Sequence, residues 1–102
     1  MMFKKIIIPK EELQFRQDGF DNKYLINEGS RAIGLFAISK NQEIPAQISA
    51  QDVCFFIIEG NIEVMLDDKN FNMKEGELLL IPKQTAYTVK MIEDTKFLTV
   101  RM

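Results

Sequence analysis

The chain has 102 residues, enough for one domain with its own core (residues 1–102) and too few for two. Hydrophobic residues make up 46% of it, the ordinary globular share, which excludes a disordered chain. Its 13 Lys and Arg against 15 Asp and Glu leave a net charge of −2, and Lys4-Lys5 with Lys10 is the densest basic stretch, so no nucleic-acid groove is expected.

Residues 2–8 read as a strand, one that a partner chain can take up by exchange. Their apolar run Ile6-Ile7-Ile8 ends at Pro9 and Lys10. A signal peptide needs about 7–15 apolar residues there and a membrane helix about 20, so no membrane association is expected. Residues 11–20 carry few apolar side chains and run into Asp18-Gly19, which argues against a long helix. Residues 31–40 form an apolar stretch that Asn41-Gln42-Glu43 interrupts. Val53-Cys54-Phe55-Phe56-Ile57-Ile58 is a continuous apolar run, as in a strand covered on both faces. Gly60-Asn61 after it predicts a hairpin turn. Ile62, Val64 and Leu66 alternate with Glu63, Met65 and Asp67, the period of a half-buried strand. Asp67-Asp68-Lys69-Asn70 predicts the next turn, then Phe71 and Met73 alternate with polar neighbours up to Lys74-Glu75-Gly76. Leu78-Leu79-Leu80-Ile81 reads as a buried strand stopped by Pro82. Tyr87, Val89 and Met91 share a face, and residues 96–102 are again rich in β-formers. Turn signals at roughly 8–12-residue spacing point to an all-β sandwich or barrel.

Residues 43–91 resemble the conserved core of the cupin superfamily. Its second signature is Gly, five residues, Pro-x-Gly, two residues, His; here Gly76 and Pro82 match, Gln84 replaces the second Gly and Tyr87 replaces the His. Its first is His-x-His, three or four residues, Glu, six residues, Gly. Counting back from Gly60 puts Val53 at the Glu, and Gln47 and Ser49 at the two His with the shorter gap, or Ala46 and Ile48 with the longer. Ile44-Pro45 favours the shorter, since such a pair commonly precedes the first His in this family. The resemblance implies a small β-barrel of double-stranded β-helix or jelly-roll type, usually homodimeric. No usual metal ligand survives in either register, so no metal and no cofactor are expected.

If position 53 points inward, alternation sends Gln47, Ser49, Gln51, Phe55 and Ile57 inward too, with Tyr87, Val89 and Met91 on the facing strand. The expected ligand-binding interior is therefore Gln47, Ser49, Gln51, Phe55, Tyr87 and Val89, an uncharged polar cluster against an apolar wall. The same polar groups can instead satisfy one another and water in a closed barrel. Asp52 should point outward. With no histidine in the chain, Ser-His and Cys-His nucleophile pairs are excluded, and catalytic residues stay unassigned. Asp68-Lys69-Asn70-Phe71-Asn72 begins like a calcium loop, but Met73 and Leu79 occupy the required Gly and Glu positions, so a solvated turn is expected. Cys54 reads as a buried, inert thiol; as the single cysteine it cannot form an internal disulfide, which fits a cytoplasmic location.

Three functions follow. The first is a binding or sensing module for a small uncharged or weakly charged organic molecule. The second is a metal-independent isomerase or lyase acting on a sugar or keto acid, against which stands the lack of an interior acid or base. The third is a structural or protein-interaction subunit, most simply a homodimer, with Cys54, Phe56 and Ile58 on the outer face.

Overall fold

In a computed structural model, residues 3–17 and 19–102 are described; Met2 and Asp18, which figure in the expected first strand and turn, lie outside them. Among the described residues, nine strands follow one short 3-10 turn (Pro9–Glu11): β1 (Phe20–Glu28), β2 (Arg31–Ile38), β3 (Glu43–Ile48), β4 (Val53–Glu59), β5 (Asn61–Leu66), β6 (Lys69–Lys74), β7 (Leu78–Ile81), β8 (Ala86–Met91) and β9 (Thr95–Arg101). They form two sheets, ordered β1-β2-β9-β4-β7 and β3-β8-β5-β6, in which every pairing is antiparallel. The all-β barrel expected from turn spacing is the observed fold.

The core lies where the inner faces meet. Val53, Phe55 and Ile57 of β4, Phe97 of β9, Ile62 and Val64 of β5, and Val89 and Met91 of β8 are all at most 2% exposed. Period-two alternation sets this face on each strand, and burying each such aliphatic or aromatic side chain contributes about 1.5–3 kcal/mol. Cys54, Phe56 and Ile58, on the other face of β4, are only half-buried, so the continuous apolar run of residues 53–58 is not sealed on both sides.

Several expectations are corrected. Residues 3–8 form no strand. The segment after them lies instead on the outer face of the five-stranded sheet, where Leu13 packs with Leu35 and Ala37. Lys96 ties it down: its ammonium donates to the Lys10 carbonyl at 2.7 Å, sits 3.6 Å from a Glu59 carboxylate oxygen and lies 5.2 Å from the Phe15 ring centroid. β1 is a nine-residue strand, turned into β2 by Gly29-Ser30. Gly60-Asn61 is not a hairpin: β4 and β5 belong to different sheets, and the single residue Gly60 between them carries the chain across. The leucine-rich β7 is not buried either. It is an edge strand whose Leu78 and Leu80 are 56% and 69% exposed. Asp67-Asp68 does turn β5 into β6, with φ of 51° and 63° at the two residues, a two-residue type I′ geometry rather than a calcium loop.

Candidate functional site

Between the sheets, towards the edge strands β1 and β3, lies a cavity of about 410 Å³. Its wall is mostly apolar, with a cluster of aromatic rings. Phe36 and Phe97 stack at 5.1 Å, Phe55 lies 5.4 Å from Phe97, and Tyr87 meets Phe55 edge-on at 5.7 Å. Such pairs each contribute about 0.5–1.5 kcal/mol beyond area burial, which favours this arrangement of the rings. Tyr24 completes it, edge-on to Phe36 at 6.2 Å. Tyr24 stands opposite Gly34, and a Cβ on that glycine would come within 2.9 Å of Phe36 and 3.1 Å of Tyr24. The missing side chain is what lets both rings lie against β2.

Gln47, Phe55 and Tyr87 of the sequence-derived set line this cavity. A bulge in β3 between Ile44 and Gln47 inserts one residue, so that Gln47 rather than Ala46 stands opposite Tyr87 and faces inward. Ser49, Gln51 and Val89 do not line it. β3 ends at Ile48, which breaks the alternation that was carried through Ser49 and Gln51. Those two residues build the turn into β4: the Ser49 hydroxyl accepts from the Gln51 amide at 3.0 Å and donates to its side-chain oxygen at 3.4 Å. Val89 is packed in the core at 1% exposure. Asp52 points outward as expected and accepts from the Lys83 backbone N–H at 2.8 Å.

Most of the lining was missed, including two polar residues of β9. Thr99 and Arg101 project from β9 on the same face as Phe97, and both line the cavity. The signal was present, because an inward Phe97 sends residues 99 and 101 inward by alternation. The Arg101 guanidinium lies 6.0 Å from the Tyr24 ring centroid. Among the described residues it has no carboxylate within ion-pair distance and no hydrogen-bond acceptor; the Tyr87 hydroxyl likewise has no protein partner.

Burial pushes the Tyr87 hydroxyl above the ordinary tyrosine value, which the Arg101 charge offsets only in part. At neutral pH it is an uncharged phenol, able to donate a hydrogen bond and not to act as a base. The metal usual in cupins does not fit this donor set. Of the positions aligned with its ligands, Val53 offers no donor, Ser49 lies outside the cavity, and Gln47 with a protonated Tyr87 gives two weak neutral oxygens. Among the described residues no three His, Cys, Asp or Glu side chains are grouped to hold an ion. Burial also raises the Cys54 thiol, keeping it protonated.

The family model described as Cupin domain matches residues 34–101. Among curated proteins none matches the sequence. Among solved structures, a conserved protein of unknown function from Streptococcus pyogenes superposes with a TM-score of 0.94 at 22% identity, covering 100% of this chain and 90% of that one. A cupin superfamily protein from Desulfitobacterium hafniense gives 0.89 at 14% identity, with 100% and 93% coverage. A cupin 2 conserved barrel domain protein from Leptotrichia buccalis gives 0.90 at 18%, covering 99% of this chain and 49% of its own. At these identities the likeness is one of fold.

Proposed function

The chain belongs to the cupin-domain family, and from that premise we propose that it is a metal-free barrel that holds a small organic molecule, as a binding or sensing module. The observation that carries this is the cavity itself: about 410 Å³, walled in part by aromatic rings, where the Arg101 guanidinium and the Tyr87 hydroxyl have no hydrogen-bond partner among the described residues. Small-molecule sites are generally built this way, with volumes of about 300–1,000 Å³, apolar walls and a few polar groups that fix orientation. The isomerase or lyase reading needs an interior group poised near neutral pH. Tyr87 is shifted away from that range and Glu43, the acid in the lining, is exposed, which supports binding over catalysis. Among the described residues no helix is long and apolar enough to cross a membrane; a cytoplasmic location rests on the lone, protonated Cys54.

A thermal-shift screen of metabolites tests the pocket, read in parallel on Thr99→Phe, which fills the cavity from β9. At least one compound should raise the melting temperature of the native chain and have no effect on the folded variant. A screen without a stabilising compound, or stabilisation that survives in Thr99→Phe, would sink the proposal.

A second reading, a homodimer, is favoured by a separate observation. On the outer face of the five-stranded sheet, register places Leu80, Cys54, Val100 and Ile33 side by side, with Leu78, Phe56 and Leu98 in the next row. None carries charge, and Leu78 and Leu80 are largely exposed. A flat apolar face can meet its own copy across a two-fold axis without burying an unpaired charge. The two readings are compatible, since this face and the cavity lie on opposite sides of one sheet.

A further inference from the structure

We infer that the cavity takes an organic monoanion, a carboxylate on an apolar body about the size of one ring, with Arg101 as its anchor. This rests on the pocket reading above and narrows the uncharged or weakly charged ligand expected from sequence to a singly charged anion. Arg101 is the one cation among the described residues lining the cavity, and it is half-buried. A guanidinium removed from water is costly unless an anion meets it. No protein carboxylate does so here among the described residues. The Tyr24 ring beneath it fixes its direction by cation–π attraction, leaving the donor fork free for a carboxylate, which guanidinium binds in bidentate fashion.

The groups around it suit the same ligand. The Tyr87 phenol, the Thr99 hydroxyl and the Gln47 amide line the cavity and all can donate to an oxyanion. The single acid in the lining, Glu43, is exposed and stands in register with Lys90 of β8. With Arg101 as the one cation among the described residues lining the cavity, a single negative charge is matched there, which suits a monoanion. The stacked Phe36 and Phe97 with Phe55 offer flat apolar faces to the rest of the molecule.

Benzoate and its uncharged isostere benzamide are the probes, titrated into the isotopically labelled native chain and followed by NMR shift changes. Benzoate should shift the resonances of cavity residues and bind about tenfold or more tightly than benzamide, a preference that shrinks as salt is raised. In Arg101→Gln the preference should fall to about threefold or less; Arg101→Lys, which keeps the charge and loses the fork, should lie between. Equal binding of the two probes to the native cavity overturns the anion and leaves the pocket standing. So does a preference that persists in a folded Arg101→Gln. If Arg101→Gln does not fold, the comparison of probes on the native chain and its salt dependence decides alone. Failure of both probes to shift any cavity resonance at millimolar concentration overturns the pocket, and this inference with it.

Discussion

Gln84 has a φ of 63°, in the left-handed region that suits glycine. It stands where the cupin signature has its second Gly, in the turn between β7 and β8, and its backbone N–H donates to the Ser49 carbonyl at 2.9 Å. The conformation is therefore kept although the residue that favours it is gone, at a strain of about 1 kcal/mol. Gln84→Gly should raise stability by about 0.5–1 kcal/mol, seen as a higher denaturant midpoint with an unchanged slope; a lower midpoint would mean that the Gln84 side chain contributes more than the strain removes. At this scale the sequence was informative where neighbours on one strand share a face. Phe55 and Tyr87 fall in the cavity for that reason, whereas Ser49 and Gln51 do not, because alternation was extended past the end of β3. Arg101 escaped because a charge at the end of a strand ordinarily reads as solvated. Only the inward Phe97 two turns of the pleat earlier reveals it.

The joint between β4 and β5 shows what decides an element's place. Gly60, at φ 109°, packs so closely against the start of β9 that a Cβ would lie 2.6 Å from the Asp94 carbonyl oxygen and 2.7 Å from the Thr95 Cα. Thr95, fully buried, braces the crossing: its hydroxyl accepts from the Asn61 N–H at 3.1 Å and donates to the Glu93 carbonyl at 2.8 Å. Gly60→Ala should cost about 3 kcal/mol or more, since both the backbone angle and the backbone of β9 resist it. Thr95→Val should cost about 1–3 kcal/mol by leaving buried backbone groups unpaired. Both are measured by chemical denaturation, and a near-neutral result at Gly60 would contradict the packing described. A Gly-Asn pair signals a reversal in the chain, but not which sheet receives the next strand. One connecting residue is too short for the usual two-residue hairpin loop, so β5 leaves β4's sheet altogether. Likewise, four apolar residues in β7 are compatible with burial on both faces or with an edge whose outer face awaits a partner. Composition alone does not separate the two.

At the scale of the whole molecule, the part of the outer face that the Leu13 segment leaves open, around Leu78 and Leu80, bears on assembly. Light scattering should give twice the 11.8 kDa chain mass at high micromolar concentration. Leu80→Glu should yield a monomer whose fold is intact, because that side chain is 69% exposed within one chain. A native chain that stays monomeric would remove the homodimer. The sheet order has another effect, on timing. β9 lies in the middle of the five-stranded sheet, between β2 and β4, yet it follows all eight other strands in the chain. A polypeptide leaving the ribosome therefore waits for its residues 95–101 before that sheet can close, and long-range closure of this kind is slow. Phe97, Thr99 and Arg101 arrive with the same strand, so a chain without it lacks the middle of one cavity wall. A ligand of the proposed pocket would bind only the completed barrel and, by mass action, would protect newly made chains from unfolding again.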